Sequence, residues 1–216
     1  MRILITSKTR YGSKHACVGG LNLENKSFVR LLNPGGIKKP EGWYQFLDTP
    51  LNIGDIWDID IKISPYTKAP HIEDVFIGKK TKIEQIDDLD SFIKESGVEI
   101  WEGHIDKLFD GCLSWLKNGS GYLAETQDEF PKYSVGFWVS DKDLILHKER
   151  YFYKYKTLGI FESEKSLKWV GFEKPPKLIP KGTLIRVSLA KWWPPRYKLE
   201  KYNAPHGCYL QISGWY

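Results

Sequence analysis

The chain is poor in the residues that give small folds covalent or metal support. Its 216 residues hold three cysteines, Cys17, Cys112 and Cys208, with no CxxC and no paired histidine spacing. That argues against both a disulfide framework and a zinc site. No apolar run reaches the length of a membrane span. The opening MRILITSKTR is apolar over too few residues for a signal peptide. The expectation is a reduced, cytoplasmic protein with no membrane partner. Catalytic signatures are also missing: GxSxG, HExxH and a Cys–His pairing do not occur. The loop after the first strand is rich in Ser and Gly but lacks the GxxxxGK[ST] spacing, so nucleotide hydrolysis is not inferred. The five histidines are isolated in sequence. No catalytic residue, metal or cofactor is implied, and a binding role is favoured over an enzymatic one.

Aromatics and segregated charge are abundant instead. Nine tryptophans exceed what a core of this size needs, and several adjoin Pro, Lys or Arg. The formal net charge of +5 conceals a strong pattern. Residues 1–40 carry eight basic and one acidic side chain, residues 84–130 three basic and twelve acidic, and residues 165–202 ten basic and two acidic. Two basic segments on one face would attract a polyanion and leave the acidic segment elsewhere, open to a protein partner.

Period-two alternation dominates. It predicts strands near 2–6, 16–23, 28–32, 43–47, 56–63 and 71–77, then 134–139, 144–147, 151–158, 168–172, 183–190 and 208–215. Glu24-Asn25-Lys26-Ser27 reads as a hairpin turn, and NPGGIKKPEG (33–42) as a loop. Gly19-Gly20 inside a strand predicts a bulge or a close backbone approach. Helix is confined to the middle: one behind the acidic start Asp87–Asp90, stopped by Gly97, and one over 103–117 with Ile105, Leu108, Phe109, Cys112, Leu113 and Leu116 on one face.

One pattern recurs. LNIGDIWDIDIKI (51–63) and LIPKGTLIRVSLA (178–190) each lead an apolar pair into a Gly turn and then an alternating strand. The reading is a mainly β protein with a small helical insert: two OB-like small β-barrels packed together, the first over 1–83, the second over 131–216, with 84–130 a helical, acidic connection. Barrels of that kind bind oligonucleotides or oligosaccharides across one face.

Two segments are the candidate nucleic-acid contacts. Lys191-Trp192-Trp193-Pro194-Pro195-Arg196-Tyr197 interleaves cations and rings. Adjacent residues of an extended chain point to opposite faces, so the two tryptophans cannot share one core. Continuing the odd-numbered face of Val187 and Leu189 buries Trp193 and leaves Trp192 to stack on a base. Because Lys191 is a poor core residue, a bulge or a strand end near Ala190 is also expected. The structural alternative is an outward tryptophan covered by a loop. The second segment supplies Lys8, Arg10 and Lys14 as phosphate contacts, with Arg30 beside them; the alternative there is an ordinary basic surface loop. Tyr151, Tyr153 and Tyr155 form a ladder that suits stacking less than packing. His71, Glu73 and Asp74 are the best catalytic cluster, carrying the alternative of a nucleotide-processing or nucleic-acid-modifying enzyme.

MRILITSKTR, ACVGG (16–20), RLLN (30–33), IGDIWDI (53–59), PHIEDV (70–75), RVSLAKWWPP (186–195) and CYLQISGWY (208–216) together resemble the dual OB-containing domain family. The resemblance spans nearly the whole chain and is weakest in the helical middle. It implies a pair of OB barrels and a role in binding nucleic acid, in prokaryotic proteins sometimes encoded beside defence systems; the residues themselves point to single-stranded or distorted DNA or RNA as the ligand. It brings no catalytic residues with it.

Overall fold

A computed structural model describes residues 1–34, 44–157, 161–194 and 204–216. Two compact units divide the chain. The first holds residues 1–99, 170–173 and 216, the second residues 100–169 and 174–215.

In the first unit the alternating segments form β1 (Arg2–Tyr11), β2 (His15–Asn22), β3 (Phe28–Leu32), β4 (Gln45–Phe46), β5 (Asp55–Ile63) and β6 (Asp74–Gln85), followed by helix α1 (Leu89–Glu95). β1, β2 and β3 are an antiparallel meander, β3 runs parallel to β6, and β6 returns through antiparallel β5 to β1. That circuit closes a five-strand barrel, and β4 pairs with β2 outside it. Alternation sends Ile3, Ile5, Val18, Val29, Leu31, Ile59 and Ile77 into one core. The predicted turn is present, with Asn25 Oδ1 accepting the Ser27 N–H at 3.0 Å.

The glycine pair also has its cause. The register of β1 on β2 slips between Ile5 and Ser7, opposite Gly19 and Gly20. A Cβ on Gly20 would stand 2.5 Å from Ile3 Cγ2 and 2.9 Å from the Leu4 carbonyl. α1 begins where the acidic cluster predicts: Asp88 accepts the Ser91 N–H at 3.0 Å, and Gly97 follows at φ +77°.

The second unit contains β7 (Ile100–Gly103), β8 (Ser114–Trp115), β9 (Gly121–Ala124), β10 (Val135–Ser140), β11 (Leu144–His147), β12 (Arg150–Thr157), β13 (Phe161–Trp169), β14 (Leu178–Ile179), β15 (Leu184–Leu189) and β16 (Gly207–Trp215). β11, β12 and β13 are antiparallel neighbours, β13 runs parallel to β16, and β16 pairs antiparallel with β15, which pairs with β10. Only Asp141–Asp143 separates β10 from β11. Read as two halves of one strand, they give this unit the circuit of the first. β5 and β15, which carry the recurrent sequence, hold the same place in their circuits.

The helix expected over 103–117 is not formed. A 3₁₀ segment spans only Ile105–Gly111, Leu108 is extended, Phe109 and Asp110 are left-handed at φ 52° and 58°, and Ser114–Trp115 is strand. Burial decides this. Ile105, Leu108 and Phe109 are all fully buried in the second core, and an unbroken helix is given up to place them there. The strand expected at 168–172 lies earlier, at Phe161–Trp169. Among the described residues no helix is long and apolar enough to cross a membrane.

Candidate nucleic-acid interface

Each circuit leaves two loops beside the face formed by its second and third strands. One joins the first and second strands, and the other joins the fourth and fifth. In the first unit these are residues 12–14 and 64–73. In the second unit the described part of the fourth-to-fifth connection is residues 190–194 and 204–206. Lys191, Trp192 and Trp193 fall there and Lys14 falls on the first unit's turn, but β1 runs on to Tyr11, so Lys8 and Arg10 are strand residues, as is Arg30 in β3.

At the first loop, Tyr11 pairs with His15 across a tight turn. Arg10 is exposed, and its guanidinium carbon lies 4.5 Å above the Phe172 ring. Lys14 is exposed at the tip. Rings surround them: Tyr11 stacks on Tyr44 at 4.1 Å, and His15 on Phe46 at 5.4 Å, with Phe46 59% exposed. Sequence reasoning missed Tyr11 and Phe46. Tyr11 adjoins Arg10 in sequence, but only the β2–β4 pairing brings Phe46 to the site.

Lys8 and Arg30 are placed differently. Lys8 is buried; its ammonium donates to the Thr49 carbonyl at 3.2 Å and sits 5.4 Å from the Phe172 centroid. Burial pushes its pKa below the ordinary lysine value, against the pull of Asp48. Arg30 points away from the barrel core yet is only 9% exposed. Its Nε donates to Asp74, and its Nη2 lies 3.8 Å from Glu73 Oε1. Burial opposes the guanidinium charge, but Cys17, Glu73 and Asp74 outweigh it and hold Arg30 above the arginine range. Tyr44 is buried beside it, and burial raises that phenol as well.

The same network absorbs the sequence's best catalytic cluster. His71 and Glu73 are each 3% exposed, and His71 Nδ1 lies 3.7 Å from Glu73 Oε1. Among the described residues no group of three His, Cys, Asp or Glu side chains is placed to hold a metal ion.

At the second-unit loop the two tryptophans do face opposite ways, in the reverse of the expected sense. Trp192 packs against the core, edge-on to Phe130 at 6.2 Å and stacked on His206 at 5.4 Å. Trp193 is 40% exposed. The cause is one extra residue. Leu189 lies opposite Leu210, and Ala190 donates to the Tyr209 carbonyl, but the next pair is Trp193 with Gly207. Three steps on one side match two on the other, so a bulge after Ala190 inverts the alternation.

Trp193 then meets Tyr209 edge to face at 5.7 Å, and Tyr209 stacks on Tyr122, its partner across β9–β16, at 5.6 Å. The result is a row of three partly exposed rings beside exposed Lys191. Tyr209 could have been found from sequence, because Cys208, Leu210 and Ile212 set the opposite, inward face. Tyr122 could not. Arg196 and Tyr197 lie outside the described residues. Of the tyrosine ladder, Tyr151 and Tyr153 are fully buried and only Tyr155 reaches a surface. The first unit's own fourth-to-fifth loop adds Tyr66, 68% exposed, at a cavity of about 490 Å³ that Asp60 and Phe76 also line.

The circuit and these loops are those of an OB barrel, and the family model of the dual OB-containing domain matches residues 1–215. The chain belongs to the dual OB-containing domain family. No curated protein and no solved structure matches it. OB barrels as a class bind oligonucleotides and oligosaccharides over the second and third strands and the two loops described above.

Proposed function

We propose that this dual OB-containing protein binds single-stranded nucleic acid without transforming it. The observation that carries the reading is the position of its exposed cations and rings. Arg10 and Lys14 stand at the first-to-second-strand loop of one barrel, and Lys191 and Trp193 at the fourth-to-fifth-strand loop of the other. On the first unit phosphates would lie on Arg10 and Lys14. On the second a phosphate would lie on Lys191 and a base on Trp193, with Tyr209 and Tyr122 behind it. In sequence, Arg196 and Tyr197 extend the same basic, aromatic run. Unpaired strands suit each of these surfaces because their bases present ring faces that a duplex hides. Lys8, Arg30 and Trp192 hold the barrels around the site and do not touch the ligand.

The test is a fluorescence-anisotropy titration with single- and double-stranded oligonucleotides of one sequence at two salt concentrations. Single strands should bind more tightly, and affinity should fall steeply with salt as counterions are released. Salt-independent binding, or none at low salt, would refute the proposal.

A further inference from the structure

In the second unit a cleft of about 900 Å³ opens beside β12 and β13, the turn after β10 and the start of the 3₁₀ segment. Its walls include His104, Asp141, Lys142, Tyr155 and Ser163. Several of these groups are held in place by the fold. Asp141 Oδ1 accepts the buried Tyr153 hydroxyl at 2.7 Å, which orients the carboxylate and leaves Oδ2 as an acceptor. His104 turns Nδ1 towards Asp106, 3.3 Å from its N–H and 3.4 Å from its Oδ2. Its ring is packed at 89° against both Tyr153 and Tyr155. Nε2 is therefore the nitrogen left to a ligand. The buried Lys165 ammonium bonds to Asp106 and lies over the Trp115 ring and over Tyr155 of the cleft wall.

The charge of the cleft defines what fits it. On the hairpin Lys154 stands opposite Glu164 and Lys156 opposite Glu162, so these four largely offset one another. What remains distinctive is a fixed carboxylate beside an ammonium and an imidazole, at an aromatic wall. A carboxylate of this kind accepts hydrogen bonds from sugar hydroxyls, as acidic residues do from a ribose 2′-OH. A neighbouring ammonium donates to the same hydroxyl oxygens or to an adjoining phosphate. That hydroxyl distinguishes RNA from DNA.

We infer that this cleft reads the ribose of a ribonucleotide, with Asp141 as the acceptor for the 2′-OH and Lys142 and His104 beside it. The inference rests on the nucleic-acid reading above and assigns its chemical class: RNA in preference to DNA.

The experiment is an anisotropy titration of the full chain with an oligouridylate and the matching oligodeoxyuridylate, which differ only in the 2′-OH. The ribo strand should bind about tenfold or more tightly, the scale of one hydrogen bond to a charged group. Asp141→Asn keeps an oxygen for the Tyr153 hydroxyl but replaces the second acceptor by a donor. It should bring the ribo strand down to the affinity of the deoxy strand. If that variant melts early, His104→Ala replaces it in the same comparison, and an undiminished ribo preference in either folded variant overturns the assignment. Trp193→Ala should weaken both strands by the same factor. Uridine monophosphate competing with the strand would identify a pocket for the free nucleotide as well. Competition by the strand alone would confine the pocket to RNA. Equal affinity of the wild-type protein for both strands overturns this inference and leaves the proposed function standing. Binding of neither strand overturns both.

Discussion

Trp193 and Gly207 exchange their backbone hydrogen bonds, at 2.9 and 2.8 Å. This pair closes the bulge that turns Trp193 outward. Gly207 is also held by β9 on its other side, opposite Ala124. A Cβ at Gly207 would stand 2.6 Å from the Leu123 carbonyl and 2.8 Å from Tyr122 Cδ2. Backbone cannot yield as a side-chain tip can. Gly207→Ala should therefore cost about 1–3 kcal/mol, the range for forced overpacking, and should disturb the ring row that Trp193 begins. A chemical-denaturation curve with single-strand binding measured on the same sample checks both effects.

The bulge also separates the two tryptophans by experiment. Trp192 is packed between Phe130 and His206, so Trp192→Ala should lower stability by roughly 3 kcal/mol. Binding by the fraction that remains folded should change little. Trp193→Ala should leave the melting temperature nearly unchanged and cost about 1–3 kcal/mol of single-strand affinity, the loss of one stacked base. Thermal melts and fluorescence titrations of both variants decide the assignment. Equal destabilisation with unchanged binding would make both of them packing residues.

The features legible in the sequence were those set by local rules. The Gly turn and alternation at 51–63 and 178–190 identified β5 and β15, and these do occupy matching places in their circuits. The Gly19-Gly20 pair announced the irregular register of β1 on β2. Asp88 and Gly97 marked the ends of α1. Features set by tertiary context were not legible. Lys191 signalled an irregularity near Ala190, but not that it would insert one residue and so reverse the tryptophans. Arg30 read as a phosphate contact, and no local rule showed that Tyr44 and the Asp74 carboxylate would cover it. The apolar spacing at 105–116 suited a helix, and the core took Ile105, Leu108 and Phe109 by a broken 3₁₀ path instead. Phe46 and Tyr122 reach the surfaces described above only through strand pairing.

Tyr151 and Tyr153 give the second unit a defined response to alkali. Both are fully buried, and their hydroxyls donate to the Pro176 carbonyl at 2.6 Å and to Asp141 at 2.7 Å. Burial pushes both pKa values up, and for Tyr153 the bond to Asp141 adds to it. The ordinary tyrosine value is about 10. Above it the unfolded chain releases protons that the folded chain retains, so stability falls as pH rises. Below about pH 10 both states are protonated and neither tyrosine contributes a slope. The melting temperature should therefore decline through alkaline pH, with phenolate absorbance from these residues appearing only on unfolding. Tyr153→Phe should make the decline shallower.

Arg10 and Arg30 carry the same charge in the same barrel and should fail in different ways. Arg30 is buried between Asp74 and Glu73, and its removal leaves two carboxylates without their cation. Breaking a buried pair from one side costs about 3–5 kcal/mol, so Arg30→Ala should destabilise the first unit sharply. Arg30→Lys should rescue it only in part, because an ammonium cannot reproduce the planar fork that reaches both carboxylates. Arg10 is exposed near the end of β1, over Phe172, so Arg10→Ala should leave stability within about 0.5 kcal/mol. Its effect should appear in binding. A phosphate contact carries no base information. Affinity should then drop by a similar factor for every sequence, and the salt slope should shrink by about one. Denaturation curves for the three variants, with salt titrations on Arg10→Ala, test the contrast. A loss of affinity confined to certain sequences would move Arg10 from the phosphates to the bases.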